Sequence, residues 1–173
     1  MTIQPILPTN RLMLRPFSLT DAPRVQLLAG DRLVSVMTVN IPYPYADGLA
    51  EQWISTHAAS YQSGEALIYA ITLAHNDELI GTVSLTQRTS ADANLGYWIG
   101  VPYWGQGYCT EAAAALIEFG FKQCGIPLIY ARHLQANPAS GRVMLKNGFR
   151  HIRTLSLDIH GATQVLEHYE RSA

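Results

Sequence analysis

Leu12 and Leu14 alternate with Arg11, Met13 and Arg15 before Pro16 closes the run, so residues 10–17 read as a half-buried strand. The period then lengthens. Val25, Leu27 and Leu28 form the apolar contribution of a helix that Thr20 or Asp21 can cap and Gly30 stops. Order weakens after Gly30 until a proline and tyrosine loop over residues 39–48, followed by a helix over 49–62 that contains Trp53 and Ile54. Residues 66–74 and 79–87 read as a hairpin joined by His75, Asn76, Asp77 and Glu78, with Gly81, Val83 and Leu85 alternating against Thr82, Ser84 and Thr86. A further strand spans 94–101, where Gly96 and Gly100 predict a bulge or a close approach of ligand to backbone.

Residues 112–124 are apolar on nearly every face, which predicts a helix buried against a sheet, and Gly125 ends it. A strand over 128–135, a short helix over 137–146 stopped by Asn147 and Gly148, and paired strands over 149–158 and 163–169 around His160 and Gly161 complete the chain. No repeat, linker or low-complexity stretch interrupts the pattern.

At 173 residues and 48% hydrophobic content, the chain is long enough for one packed domain and marginal for two, so 1–173 is read as a single domain. The net charge is -1 and the Lys and Arg are scattered, which argues against a nucleic-acid footprint or a polybasic membrane patch. No apolar run reaches the roughly 20 residues of a membrane span, and residues 1–10 lack the charged start and apolar core of a leader, so the expected location is cytoplasmic. Cys109 and Cys124 fall on one expected helix, roughly 22 Å apart at about 1.5 Å per residue, and cannot bridge. No metal site is expected.

The chemistry concentrates in Tyr103-Trp104-Gly105-Gln106-Gly107-Tyr108-Cys109-Thr110, a glycine bend between a strand and a helix. The first turn of a helix carries amides with no intrahelical partner and a partial positive charge, so a phosphate placed there is held by backbone. The dinucleotide fingerprint would need a glycine where Thr110 stands, and no Walker lysine follows. Two further motifs lie downstream: Asn137-Pro138-Ala139-Ser140, then Lys146-Asn147-Gly148-Phe149.

Together with Leu95-Gly96-Tyr97-Trp98-Ile99 and the opening Thr9-Asn10-Arg11-Leu12-Met13-Leu14-Arg15-Pro16, these motifs resemble the GNAT superfamily of acetyl-CoA-dependent N-acetyltransferases over nearly the whole chain. Within it, the chain looks like the branch that acetylates ribosomal-protein N-termini. The resemblance implies an α+β, three-layer α/β/α fold: a mixed, mostly antiparallel sheet of six to seven strands with about four helices, splayed between the fourth and fifth strands. It implies acetyl-CoA in that split, with pantetheine on the edge at Ile99 and Val101 and pyrophosphate on the amides of Gly105, Gln106, Gly107, Tyr108, Cys109 and Thr110. Asn137 would reach the pantetheine arm and Ser140 would lie near the sulfur, although both residues also suit a helix start.

The implied reaction is direct attack of a primary amine, on a protein N-terminus or a small molecule, upon the thioester. Ser140 or a nearby tyrosine is the candidate acid. The base is harder to place, because Asn94 stands where many relatives carry Glu, leaving Asp158, Asp92, His133, His160 or water. Tyr43, Tyr45, Trp53 and Tyr97 are candidates for the substrate wall. Cys109, though at a helix start, has no evident orienting partner and is read as packing rather than nucleophile. The alternatives are a catalytically weak acetyl-CoA binding module, and a protein-interaction domain using the loop from Tyr43 to Tyr45. Acceptor identity stays open, and so does the choice between monomer and homodimer.

Overall fold

The computed structural model describes residues 3–173. Met1 and Thr2, the start of the stretch read as lacking a leader, lie outside the described residues.

One eight-stranded sheet runs in the order β1-β2-β3-β4-β5-β6-β8-β7. Its strands are β1 (Leu7–Pro8), β2 (Leu12–Arg15), β3 (Leu67–Leu73), β4 (Leu79–Thr86), β5 (Ala93–Ile99), β6 (Leu128–Leu134), β7 (Arg150–Ile159) and β8 (Ala162–Ser172). Every neighbouring pair is antiparallel except β5 and β6. That parallel pair is short: Ala93, Asn94 and Leu95 match Ile129, Tyr130 and Ala131, and beyond Leu95 the two strands part. The split opens where the resemblance placed it.

Six α-helices cover the sheet: α1 (Ala22–Ala29), α2 (Arg32–Val36), α3 (Leu49–Ser55), α4 (His57–Ser63), α5 (Tyr108–Lys122) and α6 (Pro138–Lys146). Alternation along each strand divides the side chains between two cores. Leu14, Ile71, Val83, Leu85, Leu95 and Ile129 pack beneath Ala112, Ala113, Leu116 and Ile117 of α5. On the opposite face, Ala70 and Leu79 meet Val25 and Leu28 of α1 and Ala50 and Ile54 of α3.

Several expectations change. Among the described residues there are eight strands and six α-helices, not six to seven and about four, because β1 and α2 are too short to show a period. The helix expected over 49–62 is two helices meeting at Thr56, whose amide reaches back to Trp53 O and whose hydroxyl bonds the same carbonyl. Cys124 falls beyond the end of α5. The β4–β5 ladder is regular from Gly81 and Ile99 to Thr86 and Asn94, so neither Gly96 nor Gly100 marks a bulge. Gly100 serves packing instead: a Cβ there would stand 2.7 Å from Leu28 Cδ2 of α1.

Candidate active site

The glycine bend has the conformation its composition required. Gly105 and Gly107 have φ of 73° and 80°, a region that only glycine enters without cost, and Gly107 is the N-cap of α5. Among the described residues, the amides of Gly105, Gln106, Gly107, Tyr108, Cys109 and Thr110 donate to nothing, and the first amide engaged is Glu111 N, bonded to Gly107 O at 3.1 Å. Six unsatisfied donors thus converge on one helix start, the arrangement a diphosphate fits. Arg142 and Lys146, exposed on α6 and lining the same cleft, add positive charge.

The segment just before β2 fixes the bend from the side. Arg11 Nη1 donates to Gln106 O at 2.9 Å, its Nε donates to Glu111 Oε2 at 2.7 Å, and its guanidinium lies 4.5 Å from the centre of the Tyr108 ring. Glu111 Oε1 accepts from Thr9 Oγ1 and Arg11 N. Burial pushes the Glu111 carboxyl upward, but these hydrogen bonds and the neighbouring guanidinium outweigh it and hold the group below its ordinary value. The glutamate that faces the phosphate bend is therefore already neutralised. Sequence reasoning placed Arg11 in the opening strand and missed this role, because nothing local connects residues a hundred positions apart.

The split exposes one backbone edge. Gly100 N donates to Ile80 O, so alternation turns the peptide groups of Leu95, Tyr97 and Ile99 toward β6, and past Leu95 no strand meets them. Two carbonyls of the expected pantetheine edge are occupied: Ile99 O accepts from Trp104 Nε1 at 2.6 Å, and Val101 O accepts from Trp104 N at 3.2 Å inside a 3-10 turn. Val101 lies outside the cleft lining for the same reason. What remains is the Ile99 amide and both backbone groups of Tyr97.

The cleft around the split has a volume of about 1320 Å³. Tyr97 enters from β5, its hydroxyl donating to Ser140 O at 2.8 Å and accepting from Ser140 Oγ at 3.1 Å. Burial, with a smaller contribution from the neighbouring Cys109, raises the Tyr97 phenol well above its ordinary value, so it stays protonated. Burial also raises the Cys109 thiol, overriding the helix start that would lower it. Asn137 is the N-cap of α6 but makes no side-chain cap; its Nδ2 donates to Met37 O at 3.0 Å, leaving Oδ1 toward the cleft.

Tyr45 and Trp53 line the cleft with Tyr97. Trp53 is wedged edge-on by Phe17 and His57, with centroids 5.0 and 4.4 Å away, and burial lowers the His57 pKa to about 4. Tyr43 does not line the cleft; it is 57% exposed on the outside of the loop. Asp158 is likewise placed elsewhere: its Oδ1 accepts the Gly161 amide at 2.9 Å in the β7–β8 turn, a capping role outside the cleft. Asp92 closes its own loop, accepting from Thr89 Oγ1 at 2.8 Å. Among the described residues, no Asp or Glu lines the cleft. His160 reaches it from the hairpin turn, and His133 reaches it with Nδ1 bonded to Leu134 O and Nε2 buried against Gly141.

A sheet splayed between two parallel strands, with free amides at the helix start beside the split, defines an acyl-coenzyme A transferase. The family described as Acetyltransferase (GNAT) domain matches residues 11–150. An uncharacterized N-acetyltransferase of Bacillus subtilis, YoaA, is 30% identical over 150 residues, covering 84% of this chain and 83% of its own. The ribosomal-protein-serine acetyltransferase of Escherichia coli is 26% identical over 130 residues, 73% and 72% of the two chains. Among solved structures, a ribosomal L7/L12 α-N-protein acetyltransferase in complex with coenzyme A superposes with a TM-score of 0.87 at 20% identity, covering 97% of this chain and 98% of the other. The chain belongs to the GNAT family of acetyl-CoA-dependent N-acetyltransferases.

No helix among the described residues is long and apolar enough to cross a membrane.

Proposed function

We propose that the protein transfers an acetyl group to the primary amine of a protein N-terminus or small molecule, by direct attack within a ternary complex. The observation that carries this is the row of six unpartnered amides from Gly105 to Thr110 beside the open edge of β5. These amides would hold the pyrophosphate, Arg142 and Lys146 would face the nucleotide, and the Tyr97 and Ile99 backbone with Asn137 Oδ1 would hold the pantetheine amides. When bound, acetyl-CoA supplies an activated thioester carbonyl.

The protein's own groups do the rest. An amide on the split edge near Ile99 would stabilise the charge that develops on the carbonyl oxygen. The amine must arrive neutral, and an α-amino group with pKa about 8 needs less help than a lysine near 10.4. With no carboxylate lining the cleft, that proton leaves through His160 or to solvent along the polar row of Ser84, Thr86 and Asn94. Tyr97 is kept protonated, and its O–H, which donates to Ser140 O in this structure, would turn to the departing sulfur while Ser140 Oγ still donates to the phenol oxygen. As the N–C bond forms and the C–S bond breaks, the amine loses one proton and the thiolate gains one. A cytoplasmic location and a monomeric or homodimeric state complete this reading.

The acceptor preference toward protein N-termini is supported by the ribosomal-protein-serine acetyltransferase among the relatives. A thiol-release assay with serine-starting peptides, polyamines, free amino acids and drug amines tests the whole reading. Turnover with at least one amine class is expected; acetyl-CoA binding with no release of thiol above the hydrolysis rate would reduce the protein to a binding module.

A further inference from the structure

The acceptor side of the cleft carries one cation that the cofactor does not need. His133 Nε2 packs against Gly141 of α6, so alternation along β6 turns Tyr130 and Arg132 to the opposite face of the sheet. Arg142 and Lys146 stay with the helix. Arg132 is also the first β6 residue past the last rung of the β5–β6 ladder, at the mouth of the split.

Its guanidinium is fixed with care. Arg132 Nε donates to His168 Nδ1 at 3.0 Å, and His168 Nε2 meets Glu170 Oε1 at 2.9 Å. Because Nδ1 accepts, the imidazole proton sits on Nε2 and is donated to the carboxylate, which fixes the tautomer. His168 is only 3% exposed and stacks with Tyr130 at 5.6 Å, while the Arg132 guanidinium lies 5.3 Å from the same Tyr130 ring. Tyr130 is pinned in turn by its hydroxyl to Gln87 Oε1 at 2.8 Å. Arginine is thereby held through one nitrogen and one ring contact, while Nη1 and Nη2 engage no protein acceptor among the described residues.

A planar pair of free donors on the lining of a cleft that holds no carboxylate among the described residues matches an incoming carboxylate in geometry and in charge. Across the mouth stand Ser84 and Asn94, whose side chains also make no hydrogen bond within the described residues. We propose that Arg132 is a specificity-determining residue that selects acceptor amines bearing a carboxylate a few bonds from the reacting nitrogen, with His168 and Glu170 as positioning residues. A polycationic amine is correspondingly disfavoured. The inference rests on the acetyl-transfer reading above and names the substrate class for it.

Two matched acceptor pairs test it: serine against serinamide, and an amidated Ser-Glu peptide against its Ser-Gln counterpart. The first pair reports an α-carboxylate and the second an acidic side chain, so the arms identify which source the site reads. The carboxylate member of at least one pair is expected to have a kcat/KM about tenfold above its amide. Arg132→Gln should bring that pair within about twofold, through KM, with the amide rates and coenzyme A affinity unchanged. His168→Leu should reproduce part of the loss, and His168→Asn, which can again present an acceptor to Nε, should recover part of it. Equal rates for both members of both pairs in the wild type, or a preference that survives Arg132→Gln, overturns the proposal. Should no amine be acetylated, the transfer reading has failed, and calorimetry of the same four probes with the coenzyme A complex still decides this one. Carboxylate-dependent binding lost in Arg132→Gln supports the clamp; equal binding of acid and amide refutes it.

Discussion

Arg11 Nε and Glu111 Oε2 meet at 2.7 Å across a hundred residues of chain, tying the residue that precedes the second strand to the first turn of α5. The same guanidinium holds Gln106 O, so one side chain fixes both the glycine bend and the acid nearest to it. Arg11 is 42% exposed, and exposed ion pairs contribute only about 0.2–1 kcal/mol to stability. Its effect should therefore appear in binding. Arg11→Ala is expected to lower the unfolding free energy by about 1 kcal/mol or less while weakening acetyl-CoA affinity about tenfold, because a loosened bend must be reordered on binding. Calorimetry and a denaturant titration on the same variant separate the two; unchanged affinity would show that the bend needs no brace.

Glu111 gives that brace a pH dependence of determined sign. Its folded-state value lies below the ordinary carboxylate value of about 4.3, so its contribution is fully present above that pH and is lost as pH falls through the folded value. Asp21, held low by Arg15 and the Ser18 amide against the upward push of burial, adds a second contribution of the same sign. Stability curves between about pH 6 and pH 2 should thus fall more steeply for the wild type than for Glu111→Gln. Parallel curves would remove Glu111 from the acid transition.

Gly107 separates backbone strain from charge. At φ of 80° any L side chain pays about 1–2 kcal/mol, with Asn and Asp the most tolerant. A Cβ there meets nothing closer than Arg11 Nη2 at 3.4 Å, and Asp is a favoured N-cap, so Gly107→Asn and Gly107→Asp should both fold. Only the aspartate puts negative charge among the six free amides. Acetyl-CoA affinity is expected to fall about a hundredfold or more for Gly107→Asp and far less for Gly107→Asn, two losses whose difference is electrostatic. Equal affinities for the two would place the diphosphate elsewhere.

The glycine bend was legible because its logic is local: two glycines between a strand and a helix force an αL start, and the free amides follow. The strand and helix order was legible for the same reason, wherever the period ran long enough. What escaped depends on contacts between distant segments. The Arg11 brace, the Arg132–His168–Glu170 chain and the Trp104 indole on Ile99 O are set by how the sheet is assembled, and no spacing announces them. Tyr43 and Asp158 were misplaced because composition shows which loop carries a residue but not which way its side chain turns. Gly100 was read as a bulge or a close approach of ligand, and it instead packs against Leu28.

That last assignment has its own test. Gly100→Ala forces a methyl against the Leu28 side chain, a buried but deformable neighbour, at an expected cost of about 1–2 kcal/mol that Leu28→Ala relieves in the double variant. Gly81→Ala is different, since its Cβ would lie 2.3 Å from the carbonyl oxygen of Trp98, and only movement of strand β5 could accommodate it. It should cost about 3 kcal/mol or more, with no single-residue rescue. Thermal melts of the three single variants and the double variant decide between the two cases; a Gly100→Ala melt unchanged from wild type would remove Leu28 as the reason for a glycine there.

Tyr97 and Ser140 share one hydrogen-bond pair but differ in what their removal leaves behind. Ser140→Ala deletes one donor to the phenol and keeps the bond from Tyr97 to the Ser140 carbonyl, so the ring stays in place with its proton. Tyr97→Phe deletes the proton itself. Since acid–base groups contribute about 10²–10⁴ in rate, Tyr97→Phe should lower kcat about a hundredfold with KM for acetyl-CoA nearly unchanged, whereas Ser140→Ala should lower it about tenfold or less. The pH profile adds an independent check. Activity with an α-amine should rise through the amine pKa of about 8 and show no fall up to about pH 10, because burial lifts the Tyr97 phenol above its ordinary value. A descending limb below that pH, absent in Tyr97→Phe, would mean that the phenol titrates normally and that the geometry of this pair has been misassigned.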